Sequence, residues 1–155
     1  MIAYKIISNK DFAGQLFKAD TFDRFLLSEA VFNVPYTVSI DGTFSSGEET
    51  GNVSWGDVRG ICMQLIKGKE LPKSFHIVLK LSEENLSRTL ASIDNNLDPS
   101  KVSGLFFNIR FEEDSFTLTT GTAVSDFQVM RTVNEAWDRL TLRFFRSKDI
   151  ALEEL

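Results

Sequence analysis

Apolar and polar residues alternate most regularly between residues 102 and 122, and this alternation predicts a β-hairpin. The predicted strands cover residues 104–111 and 115–121, and Glu113 with Asp114 forms the two-residue loop between them. In this register residues of like polarity face each other: Phe111 and Phe116, Ile109 and Leu118, Arg110 and Thr117, Asn108 and Thr119. A slip of one residue would turn the apolar side chains to the solvent, so the sequence specifies this pairing.

Shorter patterns of the same kind predict the other strands. They cover residues 2–7, 24–34, 36–44, 74–81 and 126–130. A helix is the alternative for residues 24–34, but their Val-Phe-Asn-Val ending and Pro35 favour a strand followed by a turn. Residues 45–53 contain two glycines and two glutamates and are predicted to form an exposed loop.

Apolar residues spaced three or four apart predict four helices, each preceded by a serine or threonine that can cap its amino end. The four capping residues are Ser8, Ser54, Ser82 and Thr132. The stripes predicted to face the core are Phe12, Leu16 and Ala19; Val58, Ile61, Cys62, Leu65 and Ile66; Leu86, Leu90 and Ile93; and Ala136, Trp137, Leu140 and Phe144. The sequence therefore predicts an α+β fold, mainly an antiparallel sheet packed with about four helices.

The order of these elements suggests an internal duplication. A β-α-β-β-α unit would occupy residues 1–70 and again residues 74–148, with Ser8 corresponding to Ser82 and Ser54 to Thr132. A second copy could cover the sheet edge and face that one unit leaves open. The alternative is that capped amphipathic helices resemble one another without a common origin.

Composition places the chain in a broad class. Its 155 residues suit a single domain, residues 1–155, and 14 phenylalanines supply large core side chains. The net charge of −5 argues against a general nucleic-acid-binding protein, which needs a basic surface. One cysteine cannot form an internal disulfide, no export signal is recognisable at residues 1–7, and no apolar run approaches the ~18 residues of a membrane span. We therefore expect a cytoplasmic protein that does not bind membranes.

Four segments together resemble a bacterial domain-of-unknown-function family. They are WGDVRGICMQLIKGK at residues 55–69, FDRFLLSEA at 22–30, VSGLFFNIRF at 102–111 and TTGT at 119–122. The resemblance covers nearly the whole chain and includes the spacing of Ala136, Trp137 and Asp138 behind the hairpin. It implies a small stand-alone cytoplasmic protein, and it supplies no activity and no catalytic residues.

No arrangement of reactive side chains in the sequence predicts an enzyme, a cofactor or a metal site. Cys62 lies in the middle of an apolar helical stripe, which favours a packing role over a nucleophilic one. His76 is the only histidine, and on the predicted strand it shares a face with Val78 and Lys80. The acidic residues Glu48, Glu49, Glu112, Glu113 and Asp114 fall on predicted loops and turns, as solvated carboxylates do.

One group of basic residues is a candidate anion-binding site. It consists of Arg59, Lys67, Lys69, Lys73 and His76, around Gly68 and the end of the second helix. The same lysines could simply complement the carbonyl end of that helix. Two hypotheses follow: a non-enzymatic module that binds a protein partner or a small anionic ligand, or an enzyme or sensor that binds a phosphorylated small molecule through Arg59, Lys67 and Lys69.

Overall fold

Helices and strands account for most of the chain in a computed structural model that describes residues 2–68 and 72–155. The strands are β1 (Ala3–Ile6), β2 (Leu26–Asn33), β3 (Thr37–Asp41), β4 (Thr43–Ser46), β5 (Glu49–Asn52), β6 (Ser74–Lys80), β7 (Val102–Glu112), β8 (Ser115–Val124) and β9 (Leu152–Glu154). The α-helices are α1 (Asn9–Ala13), α2 (Trp55–Ile66), α3 (Glu83–Ile93) and α4 (Phe127–Ser147). A π-helical turn, Gly14–Lys18, continues α1, and a 3-10 turn, Pro99–Lys101, precedes β7.

The main sheet has seven strands in the order β3-β2-β6-β7-β8-β1-β9, and every neighbouring pair is antiparallel. Strands β4 and β5 form a separate hairpin. The predicted α+β class, with four α-helices and a mainly antiparallel sheet, is therefore confirmed.

The predicted hairpin forms the centre of the sheet as β7 and β8. Phe111 pairs with Phe116 and Arg110 with Thr117, as the alternation indicated. Glu113 and Asp114 have φ angles of 51° and 58°, so both residues of the loop adopt the left-handed conformation that a type I′ turn requires. The turn and the buried face thus specify the same register.

One face of the sheet carries the core. Phe75, Ile77 and Leu79 of β6 alternate with partly exposed residues and point towards the helices. The helices contribute large side chains to the same cluster, among them Phe12, Leu16, Phe17, Trp55, Cys62, Leu90, Val133, Trp137 and Phe145. The buried Trp55 also donates an indole hydrogen bond to the carbonyl of Leu16 (2.7 Å), which ties α2 to the π-helical turn.

The opposite face of the sheet is open. Its apolar side chains, Ala3, Val31, Val78 and Phe106, are only partly buried and lie outside the core cluster. In the described part of the chain, the residues that helices contribute to the core all pack with the other face. Antiparallel sheets commonly leave one face solvated in this way, and the polar residues of the central strands are consequently displayed on a broad surface.

Several local predictions were wrong. Ala19, predicted to face the core, is exposed after the π-helical turn, and the side chain of Ser54 makes no capping hydrogen bond to α2. The predicted strand at residues 126–130 is helical, because Asp126 accepts a hydrogen bond from the amide of Gln128 and α4 begins at Phe127. Ile61 is 62% exposed, because the buried face of α2 is centred on Trp55 and Cys62. The predicted loop at 45–53 lies largely in the β4–β5 hairpin, although its residues are mostly exposed, as expected.

Both halves of the chain follow the order β-α-β-β-α, with the β4–β5 hairpin inserted in the first and β9 added after the second. The pairing of strands differs between the halves. In the second half β6 pairs with the hairpin strand β7, whereas in the first half β1 pairs with β8 and β9. The duplication therefore stays a prediction.

Substitution of two glycines by alanine tests the packing of the backbone at Gly60 and Gly42. Gly60 lies inside α2, and a Cβ built there would meet nothing within 4 Å. Because glycine is less favourable than alanine in a helix, Gly60→Ala should raise the free energy of unfolding by about 0.5–1 kcal/mol in chemical denaturation. A lower free energy of unfolding would contradict the assignment of this position to an open helical surface.

Gly42→Ala is the control with the opposite expectation. A Cβ at Gly42 would lie 1.9 Å from the carbonyl oxygen of Leu27, where the chain passes close to β2. We expect this variant to be destabilised or to fail to fold, since backbone must move to admit the methyl group. Equal behaviour of the two alanine variants would refute the packing described at Gly42.

Candidate functional site

One residue from each of the seven strands of the main sheet lies in a row across the open face, and all of these residues except Val31 are polar. Because side chains alternate along a strand, residues that pair across the sheet project from the same side. The row contains Ser39, Val31, His76, Arg110, Thr117, Lys5 and Glu153, from β3 to β9. Neighbouring strands lie about 4.8 Å apart, so the imidazole of His76 and the guanidinium of Arg110 start from adjacent backbone positions.

A cavity of about 260 Å³ opens beside this pair. Its lining consists of Val31, Asn33, Ser74, Phe75, His76, Arg110 and Glu112. Asn33 donates a hydrogen bond to the hydroxyl oxygen of Ser74 (2.8 Å) and accepts one from Thr37 (3.1 Å), which holds the amide in place. The cavity thus combines a fixed polar wall with charged groups that extend from β7.

His76 is held in its neutral form more strongly than an exposed histidine. Partial burial lowers its pKa from the ordinary value, and the positive charge of Arg110 lowers it further. The negative charge of Glu29 and a hydrogen bond with Asn108 act in the opposite direction but are outweighed. At neutral pH the imidazole is therefore an uncharged group that can donate one hydrogen bond and accept another.

Arg110 is exposed and forms no ion pair with any carboxylate of residues 2–68 and 72–155. Glu112, two residues further along β7, likewise pairs with none of the described cations. A guanidinium presents a planar set of donors that matches a carboxylate or phosphate. Arg110 is consequently the side chain of this face best suited to hold an anionic group.

Arg59, the first of the predicted anion ligands, has a structural role. Its Nε and Nη2 donate to the two carboxylate oxygens of Asp23 at 2.6 and 3.2 Å. Its Nη1 donates to the carbonyls of Phe17 and Lys18 at 3.4 and 3.2 Å. The guanidinium therefore connects α2 to the end of the π-helical turn, and the hydrogen bond with Asp23 raises the pKa of Arg59.

The other predicted ligands are not gathered around Arg59. Lys67 is exposed at the carboxyl end of α2, and the backbone amide of Lys73 donates to the carbonyl of Asn33 (2.9 Å) just before β6. His76 projects from the open face, on the side of the sheet opposite to α2. Lys69 lies outside the described residues. The structure places His76 beside Arg110 instead, a neighbour that the sequence analysis had assigned only to the polar face of the hairpin.

A larger groove, of about 630 Å³, lies on the helical side. Its lining consists of Lys10, Asp11, Ala13, Gly14, Gln15, Phe17, Lys18, Ala19, Met63, Ile66 and Asp149. Gln15 has both polar atoms engaged, since it donates to the carbonyl of Lys148 (2.9 Å) and accepts from Thr21 (3.0 Å). The groove thus offers an apolar floor and a rim that carries two cations and two anions.

A third cavity, of about 370 Å³, lies between β8 and α4. Thr120 hydrogen-bonds to Asp138 and Thr122 to Asn134 across it. Nearby, the buried hydroxyls of Tyr4 and Thr141 have no hydrogen-bond partner among the described residues. Burial raises the pKa of Tyr4, and the negative charge of Asp138 raises it further. The hydrogen bonds of Thr120 and Thr122 therefore join β8 to α4.

Cys62 is buried, as expected. Burial raises the pKa of its thiol to about 12, which keeps it protonated near neutral pH.

A model of DUF5721, a family of unknown function, matches residues 15–153. The chain belongs to this family. The range matched by DUF5721 contains every residue of the row across the open face except Lys5. No curated protein and no solved structure matches the chain. The described residues of this DUF5721 chain include no helix long and apolar enough to cross a membrane. They also contain no group of three or more histidine, cysteine or acidic side chains placed to hold a metal ion.

Arg59 provides the first test of the site. If it is a structural connector, Arg59→Gln should lower the melting temperature, and Asp23→Asn should lower it similarly. The double variant should then be little less stable than the worse single variant, because both changes remove the same interaction. Lys67→Gln is the matched control and should leave the melting temperature unchanged. Additive losses in the double variant would show that Arg59 acts independently of Asp23.

His76 provides the second test, by NMR titration of its ring protons. We expect a pKa below 6.5 in the folded protein. Arg110→Gln should raise this pKa because it removes a positive charge, and Glu29→Gln should lower it further because it removes a negative one. Shifts in the reverse directions would contradict the arrangement of charges around the imidazole.

The same depressed pKa affects stability. Because the unfolded chain binds the proton of His76 more readily than the folded one, the contribution to folding is complete above about pH 6.5 and is lost as the pH falls below it. His76→Gln should therefore flatten the fall in melting temperature between neutral and mildly acidic pH. An unchanged pH profile would show that the environment of His76 is not responsible for that fall.

Proposed function

We propose that this DUF5721 protein is a non-enzymatic binding module that holds the anionic group of a ligand or partner on the open face of its sheet. Arg110 makes the principal contact, and His76 adds a hydrogen-bond donor from the neighbouring strand. The proposal includes a bacterial, cytoplasmic setting, on the family resemblance of the sequence.

The observation that carries the proposal is the position of Arg110. Arg110 lies on the central strand of an uncovered sheet, two residues before the end of β7 and beside a polar cavity, and it has no ion pair with a carboxylate of the described residues. Arg59 and Lys101 are also partly exposed cations, and each is satisfied by an aspartate at 2.6 Å. Arg110 therefore differs from them in offering its donors to a group outside the fold.

A binding role is favoured over catalysis by the surroundings of His76. A histidine that acts as a general base usually has its second nitrogen oriented by a carboxylate or another acceptor. The side chain that acts on the His76 imidazole by hydrogen bonding is the amide of Asn108, and no carboxylate of the described residues is hydrogen-bonded to it. The alternative, an enzyme or sensor for a phosphorylated small molecule built on Arg59, is weakened because Arg59 is engaged by Asp23 and by two backbone carbonyls.

The experiment is an NMR titration of the full chain with sodium acetate and, separately, with sodium phosphate, against sodium chloride at equal ionic strength. We expect backbone shifts concentrated at His76 and Arg110 with at least one of the two anions. Arg110→Gln should weaken this binding at least tenfold, which corresponds to about 1.4 kcal/mol. Arg139→Gln, which removes an exposed arginine of α4, is the matched control and should bind as the original protein does. Equal binding by both variants, or no anion-specific shifts, would refute the proposal.

A further inference from the structure

The cavity beside His76 is lined by one cation and one anion that form no ion pair with each other. Arg110 and Glu112 are separated by one residue on β7, so both project from the open face. Two steps along a strand place their Cα atoms about 7 Å apart. Both side chains line the same cavity, yet neither forms an ion pair with the other or with another residue of the described ranges.

Between these charges the cavity offers hydrogen-bonding groups and one apolar contact. The oxygen of Ser74 accepts from Asn33, which leaves its own proton to donate. The neutral imidazole of His76 adds a second donor beside Arg110, because these two residues occupy paired positions, whereas Ser74 is paired with Glu112. Val31 supplies apolar surface on the same face, from the adjacent strand β2.

The volume of the cavity limits the size of a ligand. A volume of about 260 Å³ is smaller than the roughly 300–1,000 Å³ typical of sites for drug-sized molecules. A ligand held within it is therefore small, and one with a negative and a positive group a few ångströms apart would meet Arg110 and Glu112 together.

We propose that this cavity binds a free α-amino acid, with the α-carboxylate held by Arg110 and His76, and the α-ammonium group held by Glu112 on the side of Ser74. The inference rests on the proposed function, because it takes Arg110 as the anion contact and adds Glu112 as the residue that selects zwitterions. A peptide terminus would satisfy one of the two charges, whereas a free amino acid satisfies both. The side chain of the amino acid then lies towards Val31.

The test compares free amino acids with their N-acetyl derivatives, which keep the carboxylate and lose the positive charge. The panel contains the common L-amino acids and the corresponding N-acetyl compounds, each titrated into the full chain and followed by NMR at neutral pH. We expect at least one free amino acid to bind at least tenfold more tightly than its N-acetyl derivative. The shifts should centre on Ser74, His76, Arg110 and Glu112.

Variants assign the two charges separately. Glu112→Gln should remove the preference for the free amino acid and leave the N-acetyl compound bound as before, whereas Arg110→Gln should weaken both. Glu153→Gln is the matched control: it removes an acidic residue of the same face that lies outside the cavity, and it should keep the preference. Melting curves establish that each variant is folded, and the comparison of the two compounds on the unmodified chain needs no variant.

The outcomes distinguish this inference from the proposed function. If free and acetylated compounds bind equally well and Arg110→Gln weakens both, the open face binds anions but does not recognise amino acids. If the preference survives Glu112→Gln, the ammonium group is held elsewhere and the inference is overturned. If neither the free amino acids nor the N-acetyl compounds bind, the inference is overturned. The proposed function is overturned as well if phosphate also produces no shifts at His76 and Arg110.

Discussion

The structure depends on the burial of one face of a single antiparallel sheet. Phenylalanines of the strands and of the helices meet on that face, and Phe107 illustrates this, since its ring contacts Trp137, Phe144 and Phe145 with centroids 5.1 to 6.1 Å apart. Because side chains alternate along each strand, fixing these rings inward also fixes every second residue outward. The positions of His76 and Arg110 on the open face are thus a consequence of core packing, and no separate loop is needed to place them.

Arg59 and Arg110 have different roles although their side chains are the same. Arg59 lies against Asp23 and two backbone carbonyls, so its donors are used within the fold and its removal should be felt as lost stability. Arg110 lies where the register of β6, β7 and β8 surrounds it with His76 and Thr117, neither of which can neutralise it. The sequence alone groups Arg59 with the lysines that follow α2 and places Arg110 only on the polar face of the hairpin. Only the tertiary pairing separates the connector from the candidate ligand-binding group.

Local patterns predicted the parts of this fold that local chemistry determines. The β7–β8 register followed from alternation and from a two-residue loop, and it was confirmed pair by pair. The start of α4 was missed because Asp126 caps the helix six residues before Thr132, where a second capping pattern occurs. The site escaped prediction for a different reason. His76 and Arg110 are 34 positions apart, and the pairing of β6 with β7 across the intervening α3 has no signature in either strand alone.

Protection of the sheet edges explains part of the distribution of charge on the open face. The outer strands β3 and β9 are short and carry acidic residues on this face, Asp41 on β3 and Glu153 on β9. Short charged edges hinder pairing with another sheet, which gives these carboxylates a structural reason. Cations of the same face lie on inner strands, with Lys80 on β6, Arg110 on β7 and Lys5 on β1, where no edge needs protection. An unpaired charge on the exposed face of a central strand contributes little to the stability of the fold, and this is why we propose a ligand contact for Arg110.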